Sequence, residues 1–132
     1  MTTRVHAKAR FSLTAVVLLM ACGGIVSAQR NVRERVRFEP GRTSAVLRGS
    51  VSGRTSREYV LDARKGQYMT VHLSGERGPV FDISSPDGSG LSELEIRDWE
   101  GVLPRSGAYR IRVYGETENL PQRRYTLEIG IR

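Results

Sequence analysis

With 132 residues and one cysteine, the chain has room for a single small core and no internal disulfide, so hydrophobic packing must hold it together. Its formal charge of +7, from 21 basic and 14 acidic residues, raises nucleic acid and anionic envelope surfaces as partners.

Arg4, Lys8 and Arg10 precede an uncharged apolar run from Phe11 to Ala21, and small residues follow as far as Val26-Ser27-Ala28. The order basic, apolar, cleavable is that of a bacterial-type export signal. A membrane anchor competes with it, because the uncharged run to Ala28 approaches the roughly 18 residues of a span, but Gly23, Gly24 and Ser27 dilute its far end. Cleavage after Ala28 frees a soluble periplasmic chain beginning at Gln29. Leu19-Met20-Ala21-Cys22 alternatively resembles a lipobox, which would make Cys22 the lipidated first residue of an anchored lipoprotein; only then is a membrane a partner. The expected organisation is a cleavable signal over 1–28 and one domain over 29–132. That domain keeps 18 basic residues against 14 acidic ones, net +4, and 17 of the 18 are arginine, the side chain suited to bidentate capture of carboxylate or phosphate.

Beyond the signal, apolar residues alternate at period two between Gly, Pro and Ser breaks, the pattern of short half-buried strands, and no helical stripe competes. Val32, Glu34, Val36 and Phe38 oppose Arg33, Arg35 and Arg37 in a first strand ending at Pro40-Gly41. Ala45, Leu47 and Val51 form a second, turned by Ser52-Gly53. Tyr59, Leu61 and Ala63 face inward on a third, Arg64-Lys65-Gly66-Gln67 predicts a tight hairpin, and Met69, Val71 and Leu73 continue on a fourth. Phe81 and Ile83 mark a strand closed by Ser85-Pro86-Asp87-Gly88. Trp99, Gly101 and Leu103 lead to the turn Pro104 to Gly107, after which Tyr109, Ile111 and Val113 alternate with Arg110, Arg112 and Tyr114. The last strand runs from Tyr125 through Leu127, Ile129 and Ile131. The fold class predicted is all-β: a small antiparallel β-sandwich, jelly-roll-like, of seven to nine strands. The polar loop from Gly115 to Gln122 is the longest connection and the first place to seek function.

Catalysis finds no support. His72 is the single histidine beyond the signal and reads as solvent-facing, with no nucleophile elbow to serve it. Asp82, Asp87 and Asp98 lack calcium-loop spacing and no Cys/His set exists for zinc, so neither a metal nor another cofactor is expected, and Asp87 reads as turn chemistry. Nucleic acid is excluded as a partner by the modest charge excess, the missing stacking aromatics and the export signal. Arg30, Arg33, Arg35 and Arg37 suit either an anionic envelope surface or a charged edge strand that resists aggregation.

Val36-Arg37-Phe38, Leu47-Arg48-Gly49, Tyr59-Val60-Leu61-Asp62-Ala63 with Lys65-Gly66-Gln67, Leu103 through Val113, and Tyr125-Thr126-Leu127 together resemble the periplasmic inhibitors of g-type lysozyme. The same skeleton is similar to bacterial pre-peptidase C-terminal β-sandwich domains. The first resemblance implies a periplasmic protein that blocks the cleft of a g-type lysozyme and protects peptidoglycan. The second implies a non-catalytic envelope module recognising a glycan or a protein. In the inhibitor pattern a tyrosine follows the glycine between the second and third strands, and two arginines four apart lie in the loop before the last strand. Here Arg54 follows Gly53, and no arginine occurs after Gly115 until Arg123 and Arg124. A rebuilt contact set on Arg54, Arg123 and Arg124 is the expectation for partner binding, held at one end of the sandwich where the Ser52 to Ser56 turn meets the Gly115 to Arg124 loop.

Overall fold

The structure, a computed structural model, describes residues 30–132; the expected signal over 1–28 and Cys22 lie outside the described residues. Strands with one apolar face need a second layer to cover it, and this chain supplies that layer at every step. Eight strands occur in the order β1 (Arg30–Arg35), β2 (Ser44–Val51), β3 (Thr55–Ala63), β4 (Tyr68–Gly75), β5 (Pro79–Ser84), β6 (Asp98–Val102), β7 (Gly107–Gly115) and β8 (Arg123–Ile131). One sheet has the order β1-β3-β7-β5 and the other β2-β8-β4-β6. The odd strands thus form one layer and the even strands the other, and every connection crosses between them. The all-β sandwich is borne out, with eight strands.

The expected hairpin at Arg64 to Gln67 is not one. The turn forms, closed by the Gln67 amide donating to the Arg64 carbonyl at 3.2 Å with Gly66 at φ +89°. Yet β3 pairs with β1 and β7, while β4 pairs with β6 and β8. Both strands are central in their own sheets, so the turn reverses the chain from one layer to the other and brings the apolar faces of β3 and β4 to opposite sides of one core.

The reading of the first strand also changes. β1 ends at Arg35, all six of its residues are exposed, and Val32 is 47% exposed; Val36 alone is buried, with Phe38 partly so. The cause is position. β1 is an edge strand, parallel to β3 while every other pairing is antiparallel, and β2 of the opposite layer packs against β3 and β7 rather than beneath β1. β1 overhangs the core, so alternation there selects no buried face. The parallel backbone ladder to β3 holds it, and ion pairs on the outer face accompany that ladder. In register across the sheet stand Arg33, Glu58, Arg112 and Asp82, alternating in sign, with Arg33 2.9 Å from Glu58 and Arg112 2.6 Å from the buried Asp82. Arg35 pairs with Asp62 one step along.

The core contains Tyr59, Leu61, Met69, Val71, Ile111, Val113, Leu127 and Ile129, all buried as their alternation requires, together with Phe81, Ile83, Leu103, Tyr109 and Tyr125. Tyr109 donates its hydroxyl to the Arg105 carbonyl at 2.6 Å and accepts from the Arg105 amide, which fixes the turn entering β7. Across the layers, the hydroxyls of Tyr59 on β3 and Tyr125 on β8 meet at 2.5 Å. Gly49 makes that meeting possible: a Cβ there would stand 2.6 Å from the Tyr125 oxygen. Burial first, and then the Tyr59 hydrogen bond, push the Tyr125 phenol far above its ordinary value, so it stays neutral.

A double-mutant cycle tests this contact. Tyr59→Phe and Tyr125→Phe should each cost about 1–3 kcal/mol by leaving a buried hydroxyl unpaired, while the double replacement costs less than their sum. Urea unfolding of the four proteins measures it, and strict additivity would refute the pairing.

Candidate functional site

Three connections share one end of the sandwich: residues 52–54 between β2 and β3, 76–78 between β4 and β5, and 116–122 between β7 and β8. The first is braced internally, because Thr55 Oγ1 accepts from the Ser52 amide at 2.8 Å. It then packs backbone to backbone against the third. The Gly53 amide donates to the Leu120 carbonyl at 2.9 Å, and a Cβ on Gly53 would lie 2.2 Å from the Glu118 carbonyl oxygen. A Cβ on Gly115 would come within 2.8 Å of the Ser52 carbonyl oxygen. These approaches require glycine.

The second connection joins through Leu120, whose side chain fills the space over Gly78; a Cβ there would meet it at 2.4 Å. The Glu116 amide also donates to the Gly78 carbonyl at 2.9 Å. Glu76 anchors the start of β8, its carboxylate accepting from the Arg124 amide at 2.6 Å. The polar loop is therefore a fixed platform. The expectation that the Ser52 to Ser56 turn and the Gly115 to Arg124 loop lie together holds. Leu120 and Gly78 were not among the expected residues, and the signal for them was one apolar residue inside an otherwise polar loop.

The three arginines are presented differently. Arg54 is exposed at the tip of the β2–β3 turn. Arg123 and Arg124 open β8 opposite Val51 and Ser50, and as consecutive strand residues they leave opposite faces of the sheet. Arg123 is half-buried; Arg124 is exposed on the outer face, where it shares a groove of about 490 Å³ with Arg48 and Glu76. Glu116 and Glu118 are exposed on the loop itself.

Other candidates resolve more simply. His72 is exposed, with its Nδ1 hydrogen-bonded to Asp98. Asp87 accepts from the Ser89 hydroxyl at 2.6 Å and the Ser89 amide at 3.0 Å, which holds its carboxyl below the usual range as part of a turn. Among the described residues no cluster of His, Cys, Asp or Glu could hold a metal ion.

Gly53→Ala should pry the platform apart. Amide hydrogen exchange at residue 53 and at 116–120 should accelerate by at least tenfold while exchange in β4 and β7 stays unchanged; equal protection in the variant would show that the two segments are not interlocked.

No protein-family model matches the chain. It is 28% identical over 130 residues to the inhibitor of g-type lysozyme of Escherichia coli K12, spanning 92% of this chain and 97% of that protein. The crystal structure of the pre-peptidase C-terminal domain of a Bacillus anthracis collagenase superposes with a TM-score of 0.51 at 12% identity, covering 79% of this chain and 96% of that one, a likeness of fold alone. The crystal structure of Aeromonas hydrophila PliG, a periplasmic lysozyme inhibitor of g-type lysozyme, superposes with a TM-score of 0.71 at 30% identity, covering 80% of this chain and all of that one. With the whole of that inhibitor matched in both sequence and fold, the chain belongs to the family of periplasmic inhibitors of g-type lysozyme.

Proposed function

We propose that the protein is a periplasmic, non-catalytic inhibitor that blocks the cleft of a g-type lysozyme and so protects peptidoglycan. The observation that carries this reading is the end-to-end likeness to the Aeromonas hydrophila inhibitor. The interlocked loops add a physical reason. A glycosidase cleft is concave and contains catalytic carboxylate, and a blocker must enter it without losing affinity to loop ordering. A turn and a loop joined through Gly53, with Leu120 seated over Gly78, meet that requirement.

Arg54, Arg123 and Arg124 are the contact residues in this proposal, since guanidinium groups pair with carboxylates through two parallel hydrogen bonds. Glu116 and Glu118 oppose them by like-charge repulsion with an acidic cleft. Replacing all three arginines by Ala should weaken inhibition of a g-type lysozyme more than tenfold, a loss of roughly 1.4 kcal/mol or more, with the Tm almost unchanged. Glu116→Gln with Glu118→Gln should strengthen it. A turbidity assay against g-, c- and i-type lysozymes reads both effects, and a folded protein that inhibits none of the three would transfer the assignment to an envelope module binding a glycan or a protein.

Export completes the proposal. The signal over 1–28 is removed after Ala28, leaving a soluble domain from Gln29. Intact-mass spectrometry of the protein from the periplasm should give the mass of 29–132; added lipid mass on a product beginning at Cys22 would establish the anchored form instead.

A further inference from the structure

Arg57 occupies a place that alternation reserves for the core. Along β3 its side chain shares a face with Tyr59, Leu61 and Ala63, all three buried. Arg57 itself is half-buried at the end of that row, and its charge acts on the Tyr125 phenol. In the register of β1, Arg30 stands beside Thr55 and Val32 beside Arg57, so the overhanging strand turns Arg30 toward the same space. Ser50 and Ser52 close that space from the opposite layer, and Gln122 closes it from the β7–β8 loop. The result is a cleft of about 290 Å³ under the overhang.

Its chemistry is one-sided. Two guanidinium groups, several hydroxyls and an amide line it, and among the described residues no carboxylate does. Elsewhere on this layer Arg33, Arg35 and Arg112 each have a carboxylate partner. Among the described residues, Arg30 and Arg57 make no ion pair, and Glu34, the next inward position of β1, makes none with either. The Glu34 charge acts on the Tyr125 phenol as the Arg57 charge does, but Glu34 neither pairs with Arg57 nor lines the cleft, so the half-buried Arg57 lacks an ion-pair partner and a second cation in the same cleft adds repulsion. An anion entering between them relieves both.

We propose that this cleft binds a carboxylate or phosphate group carried on a small hydroxyl-rich ligand of the sugar-acid or sugar-phosphate class. Arg30 and Arg57 hold the oxyanion. Its volume exceeds that of a bare oxyanion, and the Ser52 and Thr55 hydroxyls, 3.2 Å apart, share one hydrogen bond and leave one hydroxyl proton to donate. The inference does not rest on lysozyme inhibition, since none of Arg54, Arg123 and Arg124 lines the cleft.

The purified protein is titrated with inorganic phosphate, glucose 6-phosphate, N-acetylmuramic acid and neutral N-acetylglucosamine at constant ionic strength, and followed by Tm and by amide NMR shifts. The three anions should raise the Tm by about 5 °C at ten times the dissociation constant, with shifts concentrated at residues 30–32, 50–57 and 122, and the neutral sugar should do neither. A tighter fit to N-acetylmuramic acid identifies a sugar acid and a tighter fit to glucose 6-phosphate a phosphomonoester; either upholds the site. Arg57→Gln should weaken anion binding at least tenfold, and Arg30→Gln, on an exposed residue that carries no folding role, should do so too. Glu34→Gln should tighten it, while Arg48→Gln on the outer face of β2 leaves it unchanged. Anion affinity that ignores Arg30 and Arg57, or an equal response to the neutral sugar, would overturn the proposal.

Discussion

Strict alternation of successive strands between two layers is the constraint on which this molecule depends. Among the described residues no strand is laddered to its neighbour in sequence; local pairing is confined to the segment that follows β5, where the Leu91 amide donates to the Ile83 carbonyl, and every strand-to-strand ladder joins distant segments. Non-local closure costs chain entropy before it returns any contact. The return has to come from packing between the layers. That explains why the apolar residues at the middle of the inward faces of β3, β4, β7 and β8 are all buried, and why a tyrosine pair bridges β3 to β8 through the core.

The same alternation builds the interlocked loop platform and the cleft beneath β1. Because each connection passes from layer to layer, the connections at either end arch over the core instead of running along a sheet edge, and three of them meet at one end. There main chains meet at Gly53 and Gly115 and the Leu120 side chain fills the space over Gly78, so backbone and one apolar side chain set the platform's shape while Arg54, Glu116 and Glu118 stay exposed on it. At the side of the sandwich, alternation leaves β1 without a partner layer. Its backbone ladder to β3, lined on the outer face by opposite charges, keeps it attached, and the space beneath it is where Arg57 lies.

Much of this was legible in the residues. Period-two spacing located the strands and named the core, because burial on one face leaves a direct mark on sequence. What failed depended on neighbours that spacing does not encode. Arg64 to Gln67 carries the same turn signals whether it closes a hairpin or crosses between layers, and only the distant strands β7 and β8 decide. Val32 alternates as a buried residue would, but an overhanging strand has nothing to bury it against. The meeting of the two loops came from family resemblance, and the geometry at Gly53 supplies its cause. Arg57 stands in the inward phase of β3 ahead of Tyr59, Leu61 and Ala63, as Arg123 stands ahead of Tyr125, Leu127 and Ile129 on β8, and period-two spacing alone does not say what such an arginine faces.

Alternation also sets a timetable. As the chain emerges from its N-terminus, β2 and β5 find no strand partner, and β3 has only the edge strand β1, until β7 and β8 appear. The two strands that complete both layers are the last to be made. A polypeptide arranged in this order can pair β1 with β3 and β4 with β6 early, but it completes neither sheet until its final two strands are available. In any polypeptide threaded through a narrow pore from its N-terminus, such an order would delay the closing of both sheets.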